Sequence, residues 1–431
     1  MTIIGIDDTD SAEQGMCTTY VGHKIAEEIT EKHDNVSVAT HLIRLNPAAP
    51  HKTRGNAAVA IHTDLDIQPA MEITDRLVKK YSYPEDPETN PGAIAIDEPP
   101  QQTTDATEFA GDFARRAMRE ILGICVVDSI LEQHKHTFHT VISKGNGRGR
   151  IGALAAIGAH TVFDEITYES ITYRESEYWG TDRSVDIETV HEAHEVCYPD
   201  VWDNYDPVTS EAVCVPNTPC PVLYGIRGDD AGKVERARSM IDAEHEQSSQ
   251  LFVTNQGTDA HIAPGIIGEL QPNESYEVSG IVASEPSTEE GGHVFFDVHH
   301  PSDSTEKVTV AAFEPTKRFR DDVRDLRPGD ELKLYGEMSD GTLKLEKFQV
   351  ESLNKTQTEN PYCDECERSM GSMGADQGYR CPNCKSTQPS KVKVPIARNL
   401  SEEEWYEVPP VARRHLAEPV IRMDKQKKTL L

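Results

Sequence analysis

Four cysteines constrain this chain more tightly than any other feature. Cys363-Asp364-Glu365-Cys366 and Cys381-Pro382-Asn383-Cys384 are two C-x-x-C knuckles with fourteen residues between them. Knuckles at this spacing draw four thiolates into a tetrahedron around Zn²⁺. The intervening Met370, Gly371, Gly374, Gly378 and Tyr379 are turn-rich, as a zinc ribbon over residues 360–390 requires. Its role is structural, because four cysteines leave no open coordination position. A pair of redox dithiols is the alternative, but no strand–helix redox context surrounds the knuckles. Cys17, Cys125, Cys197, Cys214 and Cys220 lack paired spacing and read as buried thiols.

Upstream of the ribbon the pattern is β-rich. Strands are expected at 276–283, 294–298 and 307–312, a short helix at 315–326, and two more strands at 331–336 and 343–350. Three strands, a helix and two strands is the order of an OB-fold barrel, here over residues 275–352. Such barrels bind oligonucleotides on the face of their second and third strands. Phe295, Phe296 and His299 could present that face, although alternation sends one phenylalanine into the core. After the ribbon, residues 385–431 hold ten Lys/Arg against six acids, in a chain of net charge −31. Residues 391–431 therefore read as a basic C-terminal tail, with a solvated helix as the plain alternative. Barrel, ribbon and tail together point to nucleic acid.

The N-terminus carries a second signal. Ile3, Ile4 and Ile6 form a short apolar strand that runs into Asp7, Asp8 and Asp10, with Thr9 and Ser11 in the same loop. Carboxylates clustered at a strand end hold Mg²⁺, and Mg²⁺ usually accompanies phosphates. An acidic turn in an acidic protein is the bland reading. Residues 1–165 read as an α/β domain: helix at 19–32, strands at 36–44 and 56–62, helix at 67–81 capped by Asp66, a surface loop at 83–100, helix at 110–122 and an apolar segment at 124–130. The 84–100 loop, rich in Pro, Glu and Asp, is expected to touch no motif. Lys144-Gly145-Asn146-Gly147-Arg148-Gly149-Arg150 then precedes a small-residue helix at 153–159. Glycines let backbone N–H groups approach an anion, and a helix N-terminus favours one. The loop is neither a Walker nor a Rossmann fingerprint. Beside the aspartates it supplies a phosphate cradle to their cation holder. His134, His136 and His139 read as solvent or loop residues.

Residues 166–265 give strand 221–225, an amphipathic helix at 231–247 and strand 251–254, an order that suits a ferredoxin-like α+β domain. Polar clusters at 202–206, 225–229 and 254–259 could be turns alone, or together a substrate pocket.

Charge narrows the setting. There are 74 acidic and 43 basic residues, spread along the chain, while a hydrophobic content of 37% still allows real cores. That balance suits a cytoplasm of very high salt, where a Debye length of ~3 Å screens repulsion between polyanions. Phosphate contacts contribute little affinity there, so recognition must rest on shape, stacking and direct hydrogen bonds. No apolar run is long enough to span a membrane, and no signal-peptide pattern opens the chain, so a cytoplasmic protein is expected.

Several of these segments resemble one family over essentially the whole chain. Ile3 to Ser11 with Gly15-Met16-Cys17-Thr18-Thr19, the 144–152 loop, Tyr224 to Gly228, Thr254 to Asp259 and Ala412-Arg413-Arg414-His415-Leu416 resemble the archaeal isoleucine-tRNA 2-agmatinylcytidine synthetases, TiaS. The resemblance implies a kinase-like domain, a ferredoxin-like domain, an OB-fold and a zinc ribbon, in that order. It implies an enzyme that uses ATP and agmatine to convert the wobble cytidine of a CAU anticodon to agmatidine, through a phosphorylated cytidine. ATP would end as AMP, and a threonine matched by Thr18, with Thr19 beside it as competitor, would be phosphorylated. Asp7, Asp8 and Asp10 would bind Mg²⁺, and Lys144 to Arg150 would cradle the triphosphate. Agmatine's guanidinium prefers a bidentate carboxylate. Asp203 and Asp206, flanking Tyr205, are the candidates; a nearby carboxylate should act as the base for its amine, and no one residue stands out as that carboxylate. The cytidine would be flipped from the anticodon loop.

Two other readings stay open on residues alone. One is a non-catalytic nucleic-acid-binding protein. The other is a small-molecule kinase indifferent to RNA. A phosphatase-type D-x-D reading of Asp8-Thr9-Asp10 meets Ala12 where a threonine is expected.

Overall fold

The computed structural model describes residues 1–11, 15–52, 55–83, 86–97 and 104–423. Its first half is built on one twisted sheet. The elements are β1 (Thr2–Asp7), α1 (Thr18–Lys32), β2 (Val38–Arg44), β3 (Ala57–Thr63), α2 (Ile67–Tyr81), β4 (Gly92–Asp97), α3 (Asp105–Arg119), α4 (Ile124–Gln133), β5 (Phe138–Ser143), α5 (Gly149–Ala159), β6 (Thr167–Arg174), α6 (Ile187–Cys197), β7 (Val222–Gly228), α7 (Ala231–Met240) and β8 (Glu246–Thr254). The eight strands lie in the order β5-β4-β1-β3-β2-β8-β6-β7. β1 is central and antiparallel to both neighbours, so Asp7 does not sit at the edge of a parallel sheet as the strand-end argument supposed. The sheet runs on past residue 165 because β2 pairs in parallel with β8, His41 facing Val253.

Alternation of β1 loads both faces. Ile3 joins Phe113, Leu154 and Ile157 in a core shared with α3, α4 and α5. Ile4 and Ile6 join Tyr20, Val21 and Ile25 beneath α1 and α2. Helix α5 lies so close to β1 that a Cβ on Gly5 would stand 1.9 Å from the Ala153 carbonyl oxygen.

Three expectations fail in this half. The surface loop at 83–100 contains β4, whose Ala93, Ile94, Ala95 and Ile96 are fully buried between β1 and β5. Its Pro and acidic residues mask a short apolar run that the core needs. The helix expected over 231–247 stops at Met240, and Glu246 and Gln247 already belong to β8. The segment after Leu122 is helix α4, with Cys125 exposed rather than buried.

The second half begins with β9 (Ile262–Pro264) and continues with β10 (Ser275–Val282), β11 (Ser287–Thr288), β12 (Val294–His300), β13 (Asp303–Ala312), α8 (Phe319–Arg324), β14 (Glu331–Ser339) and β15 (Thr342–Ser352). Strands β12-β13-β15-β14-β10 close on themselves through a β12–β10 pairing, giving a five-stranded barrel. β13 and β15 are parallel and the other barrel pairs antiparallel. Phe296 fills the core at 2% exposure while Phe295 stays at the surface against Phe313, as alternation requires. The helix expected at 315–326 is shorter, with a 3₁₀ turn at Glu314–Thr316 before α8, whose Phe319 and Val323 are buried in the barrel core.

The C-terminal segment, as far as residue 423, is not a free basic tail. Trp405–Glu407 adds a strand to β15. Arg398 makes a buried ion pair with Asp330 at 2.7 Å. Arg413 binds Asp203 at 2.8 Å and Glu407 at 2.7 Å. Arg414 binds Glu337, and Arg422 reaches Asp229 at 2.5 Å and Glu165 at 2.9 Å. The segment ties the barrel to the sheet, so four of the ten expected basic residues serve this chain's own carboxylates. Lys425, Lys427 and Lys428 of the expected tail lie outside the described residues.

Candidate active site

β1 ends in a tight acidic turn. Asp8 adopts φ 57° and its N–H donates to Asp7 Oδ1 at 2.7 Å. Burial and the neighbouring carboxylates of Asp8 and Asp10 push the Asp7 carboxyl well above its usual range. Burial also raises Asp8, against the pull of Arg148. Arg148 reaches Asp8 Oδ2 from Nη2 at 3.2 Å and donates to the Glu88 carbonyl at 2.9 Å. A Cβ on Gly152 would lie 1.9 Å from Asp7 Oδ2, so only glycine lets that carboxylate rest against α5.

The Gly-rich loop is shaped by the segment before β4. Asn90 Oδ1 accepts from the Asn146 N–H at 3.0 Å, and the Asn90 carbonyl accepts from the Gly149 N–H at 3.1 Å. Thr89 Oγ1 donates to the Asp10 carbonyl at 2.7 Å, and Ser11 binds Asp86. The stretch expected to touch no motif thus braces both of them. Of the loop residues, Arg148 lines the cleft with Asp7, Asp8 and Asp10. Lys144, Gly145, Asn146, Gly147, Gly149 and Arg150 do not line it. Arg150 pairs instead with Asp128 at 2.9 Å. Apolar Leu45, Ile121, Leu122 and Ile151 complete the cleft.

A second compartment opens beside the first, and Asp10, Gly55 and Ala57 line both. Thr18 and Thr19, at the start of α1, face it. Thr9 Oγ1 donates to Thr18 Oγ1 at 3.1 Å, which ties Thr18 to the acidic turn. Thr19 lies 3.0 Å from the Cys17 thiol instead. Buried Glu169, on β6, holds Arg227 at 3.2 Å and Arg44 at 3.6 Å. Gln256 Nε2 donates to it at 2.5 Å. Burial works to raise this carboxyl, but Arg227 and Arg44 carry it below its usual range.

Two of the polar clusters named from sequence, 225–229 and 254–259, therefore meet at Glu169. The third contributes Asn204, whose Oδ1 accepts from the Arg227 N–H at 3.0 Å. Asp203, Tyr205 and Asp206 line neither compartment. Asp203 is held by Arg413, Asp206 by Arg318 at 3.0 Å, and Tyr205 packs on His191. Each carboxylate already has a guanidinium, supplied by this chain. Sequence reasoning missed Glu169, Arg44, Asn90 and His415. Two of them left a signal: Glu169 shares a strand face with Ile171 and Tyr173, where a carboxylate is out of place, and His415 stands in the 412–416 motif.

The four ribbon cysteines place their Sγ atoms within 4.8 Å of one another, the only such group of potential metal ligands among the described residues. The Ser386 hydroxyl pulls the Cys384 thiol down, whereas burial and the neighbouring thiols push Cys366 up, and a bound metal would replace the protons on all four. The donor set fits zinc. Asp7, Asp8 and Asp10 do not form so tight a set. Three carboxylates gathered on one turn fit a hard cation, with water and phosphate oxygens completing its shell.

Family models named TiaS TCKD domain, TiaS FLD domain and TiaS C-terminal zinc ribbon domain match residues 3–64, 147–261 and 360–400. An isoleucine-tRNA 2-agmatinylcytidine synthetase TiaS of Haloquadratum walsbyi is 44% identical, with 98% of each chain covered. The protein of the same name from Methanocaldococcus jannaschii is 36% identical over 98% of this chain and 99% of its own. A crystal structure of a TiaS complex with its isoleucine tRNA and ATP superposes with TM-score 0.87 at 38% identity, over 98% of this chain and 97% of that one. A TiaS complex with the same tRNA, AMPCPP and agmatine superposes with TM-score 0.84 at 36% identity, covering 98% and 97%. No helix among the described residues is long and apolar enough to cross a membrane.

Proposed function

This chain belongs to the TiaS family, and on that premise we propose that it joins agmatine to the wobble cytidine of a CAU-anticodon isoleucine tRNA, consuming ATP. The carrying observation is the junction at Asp10, Gly55 and Ala57, where a carboxylate-and-arginine cleft opens onto the compartment that Thr18 faces. An ATP site and a nucleophile site must share such a wall if a phosphoryl group is to pass between them.

In this reading the apolar Ile121, Leu122 and Ile151 take the adenine, and Arg148 swings from Asp8 to the phosphates. Asp7, Asp8 and Asp10 hold magnesium, which when bound offsets phosphate charge. Thr18 is the phosphoryl acceptor because Thr9 ties it to the acidic turn, whereas Thr19 is turned to Cys17. Phosphorylation of the cytidine carbonyl oxygen converts a poor leaving group to a good one, and the agmatine amine then attacks the ring carbon. The second compartment takes the agmatine.

Residues 1–165 act as the kinase-like domain and 166–265 as the ferredoxin-like one, on a common sheet. The barrel is an OB-fold that meets RNA, with the half-buried Phe295, packed on Phe313, as its stacking face. The zinc ribbon extends the RNA-binding surface, and the enzyme works in the cytoplasm with its tRNA.

The test is a reaction of the full chain with ATP, Mg²⁺, labelled agmatine and tRNA transcripts in high-salt buffer. AMP formation and label in CAU transcripts alone support the reading. ATP turnover that ignores tRNA favours a small-molecule kinase.

A further inference from the structure

Attack by an amine requires that its proton go somewhere, and the compartment offers few takers. Glu169 is engaged by two arginines and Gln256. Asp10 belongs to the carboxylate turn. Burial pushes the Cys214 thiol up to about 12. Cys220 accepts from Arg183 Nη2 at 3.3 Å, and Cys17 is bonded to Thr19.

One group differs. His415 is the only imidazole among the described residues that line this compartment. It also lines a third groove, with Lys52, Asn56 and Arg414, that shares Gly55 with the other two. It therefore lies between the second and third grooves, against the glycine that the first shares with them. Its Nδ1 is buried and has no hydrogen-bond partner. A buried imidazole nitrogen without a partner calls for an explanation, and a ligand that comes and goes is one. Burial and the guanidiniums of Arg44 on β2 and Arg227 on β7 keep the ring neutral, well below the ordinary histidine range.

The ring is also held in place. The His415 carbonyl accepts from the Gly257 N–H at 2.8 Å, and the Leu416 carbonyl from the Asp259 N–H at 2.8 Å. Its neighbours Arg413 and Arg414 are clamped by Asp203 and Glu407, and by Glu337 and Glu346. The ring edge abuts Gly55, where a Cβ would stand 3.0 Å from Cδ2 and 3.1 Å from Nε2. A side chain on a segment fixed this firmly, with its Cδ2–Nε2 edge against the shared Gly55, is placed to meet a reactant.

We propose that His415 is the base that accepts the proton of the attacking agmatine amine. This rests on the agmatine-transfer reading above. The C–N bond forms as the C–O bond to the departing phosphate breaks, and the electron pair of that bond leaves with the phosphate. Agmatine arrives as an ammonium: its first proton passes to the imidazole and frees the lone pair that attacks, and the second, released as the C–N bond forms, leaves on the phosphate. Two flanking guanidiniums make the resulting imidazolium costly, so it hands the proton on to the phosphate and is ready again.

The test compares agmatine with its aminooxy analogue, whose nucleophilic nitrogen is uncharged at neutral pH and needs less help from a base. His415→Gln and His415→Ala are assayed in the full chain with tRNA and ATP. General-base loss is expected to lower agmatine transfer about 10²- to 10⁴-fold. The aminooxy substrate should lose at least ten times less, and AMP formation likewise. Added imidazole should restore part of the His415→Ala rate.

Equal losses with both amines, or a loss under about ten-fold with agmatine, would overturn the assignment. If the Gln variant fails to fold, imidazole rescue of the Ala variant decides alone, and no rescue counts against the proposal. A wild-type chain that makes no agmatine adduct overturns the underlying reading first, and that failure is visible without any His415 variant.

Discussion

Gly152→Ala tests how α5 positions the Asp7 carboxylate. A Cβ at residue 152 would sit 1.9 Å from Asp7 Oδ2, about 1.5 Å short of ordinary contact. Helix α5 cannot retreat, because the Gly149 N–H is bonded to the Asn90 carbonyl and the Ala153 carbonyl is pressed against Gly5. The carboxylate must therefore swing and break its 2.7 Å bond from the Asp8 N–H. Loss of that bond costs about 1 kcal/mol, and replacing a helical glycine with alanine returns about 1 kcal/mol. The Cβ would also stand 2.5 Å from Asp7 Cγ and 2.9 Å from Asp7 Cβ, so the turn itself must shift and stability should fall by about 1–3 kcal/mol. Activity should fall much further, since a misplacement of about 1 Å can cost on the order of 10²-fold. The assay is AMP formation with tRNA and agmatine at saturation, beside a thermal unfolding curve in the same salt. Asp7→Asn provides the comparison, with the charge removed and the side-chain position kept. A Gly152→Ala protein with kcat within about three-fold of wild type would refute the claim that Asp7 is held in working position by α5.

Three further outcomes are expected. Glu346, buried against His261 at 3.1 Å, is held down to about 2 by that histidine and Arg414 although burial opposes them. Because the folded value lies below the unfolded one, its contribution is present above about pH 4.5 and disappears as pH falls toward 2, so Glu346→Gln should cost about 3 kcal/mol at neutral pH and progressively less below 4.5 in urea titrations. Asp330→Ala strands Arg398, which is 4% exposed, and removes acceptors for the Arg327 and Asn354 N–H groups, so it should destabilise the chain by about 3–5 kcal/mol in the same titrations. Cys381→Ser should release the zinc, read with a colorimetric chelator, and weaken tRNA binding while AMP formation stays closer to wild type.

What could be read in the sequence was whatever lay contiguous along it. The Asp7-Asp8-Thr9-Asp10 turn and the two C-x-x-C knuckles each carry their chemistry within a few residues. Barrel strand order was also legible, because each strand alternates and each turn is polar. The compartment beside the turn was legible only in part, through the 225–229 and 254–259 clusters. Arg44, Glu169, Arg227 and His415 come from β2, β6, β7 and the C-terminal segment, and only the sheet brings them together. The 83–100 stretch was misjudged by composition, although Ala93-Ile94-Ala95-Ile96 is as apolar as β1. A count of positive charges in the tail could not reveal that Arg398, Arg413, Arg414 and Arg422 answer carboxylates far away in the chain.

The central claim is that this fold modifies a single cytidine, and that the acidic turn of β1 drives it. Full-length protein and an Asp8→Ala variant would be incubated with ATP, Mg²⁺, agmatine and a CAU-anticodon transcript, and the anticodon fragment examined by nuclease digestion and mass spectrometry. The account predicts one agmatine adduct at the wobble cytidine with wild type and none with the variant. An adduct elsewhere in the tRNA, or an undiminished wobble adduct with Asp8→Ala, would contradict it.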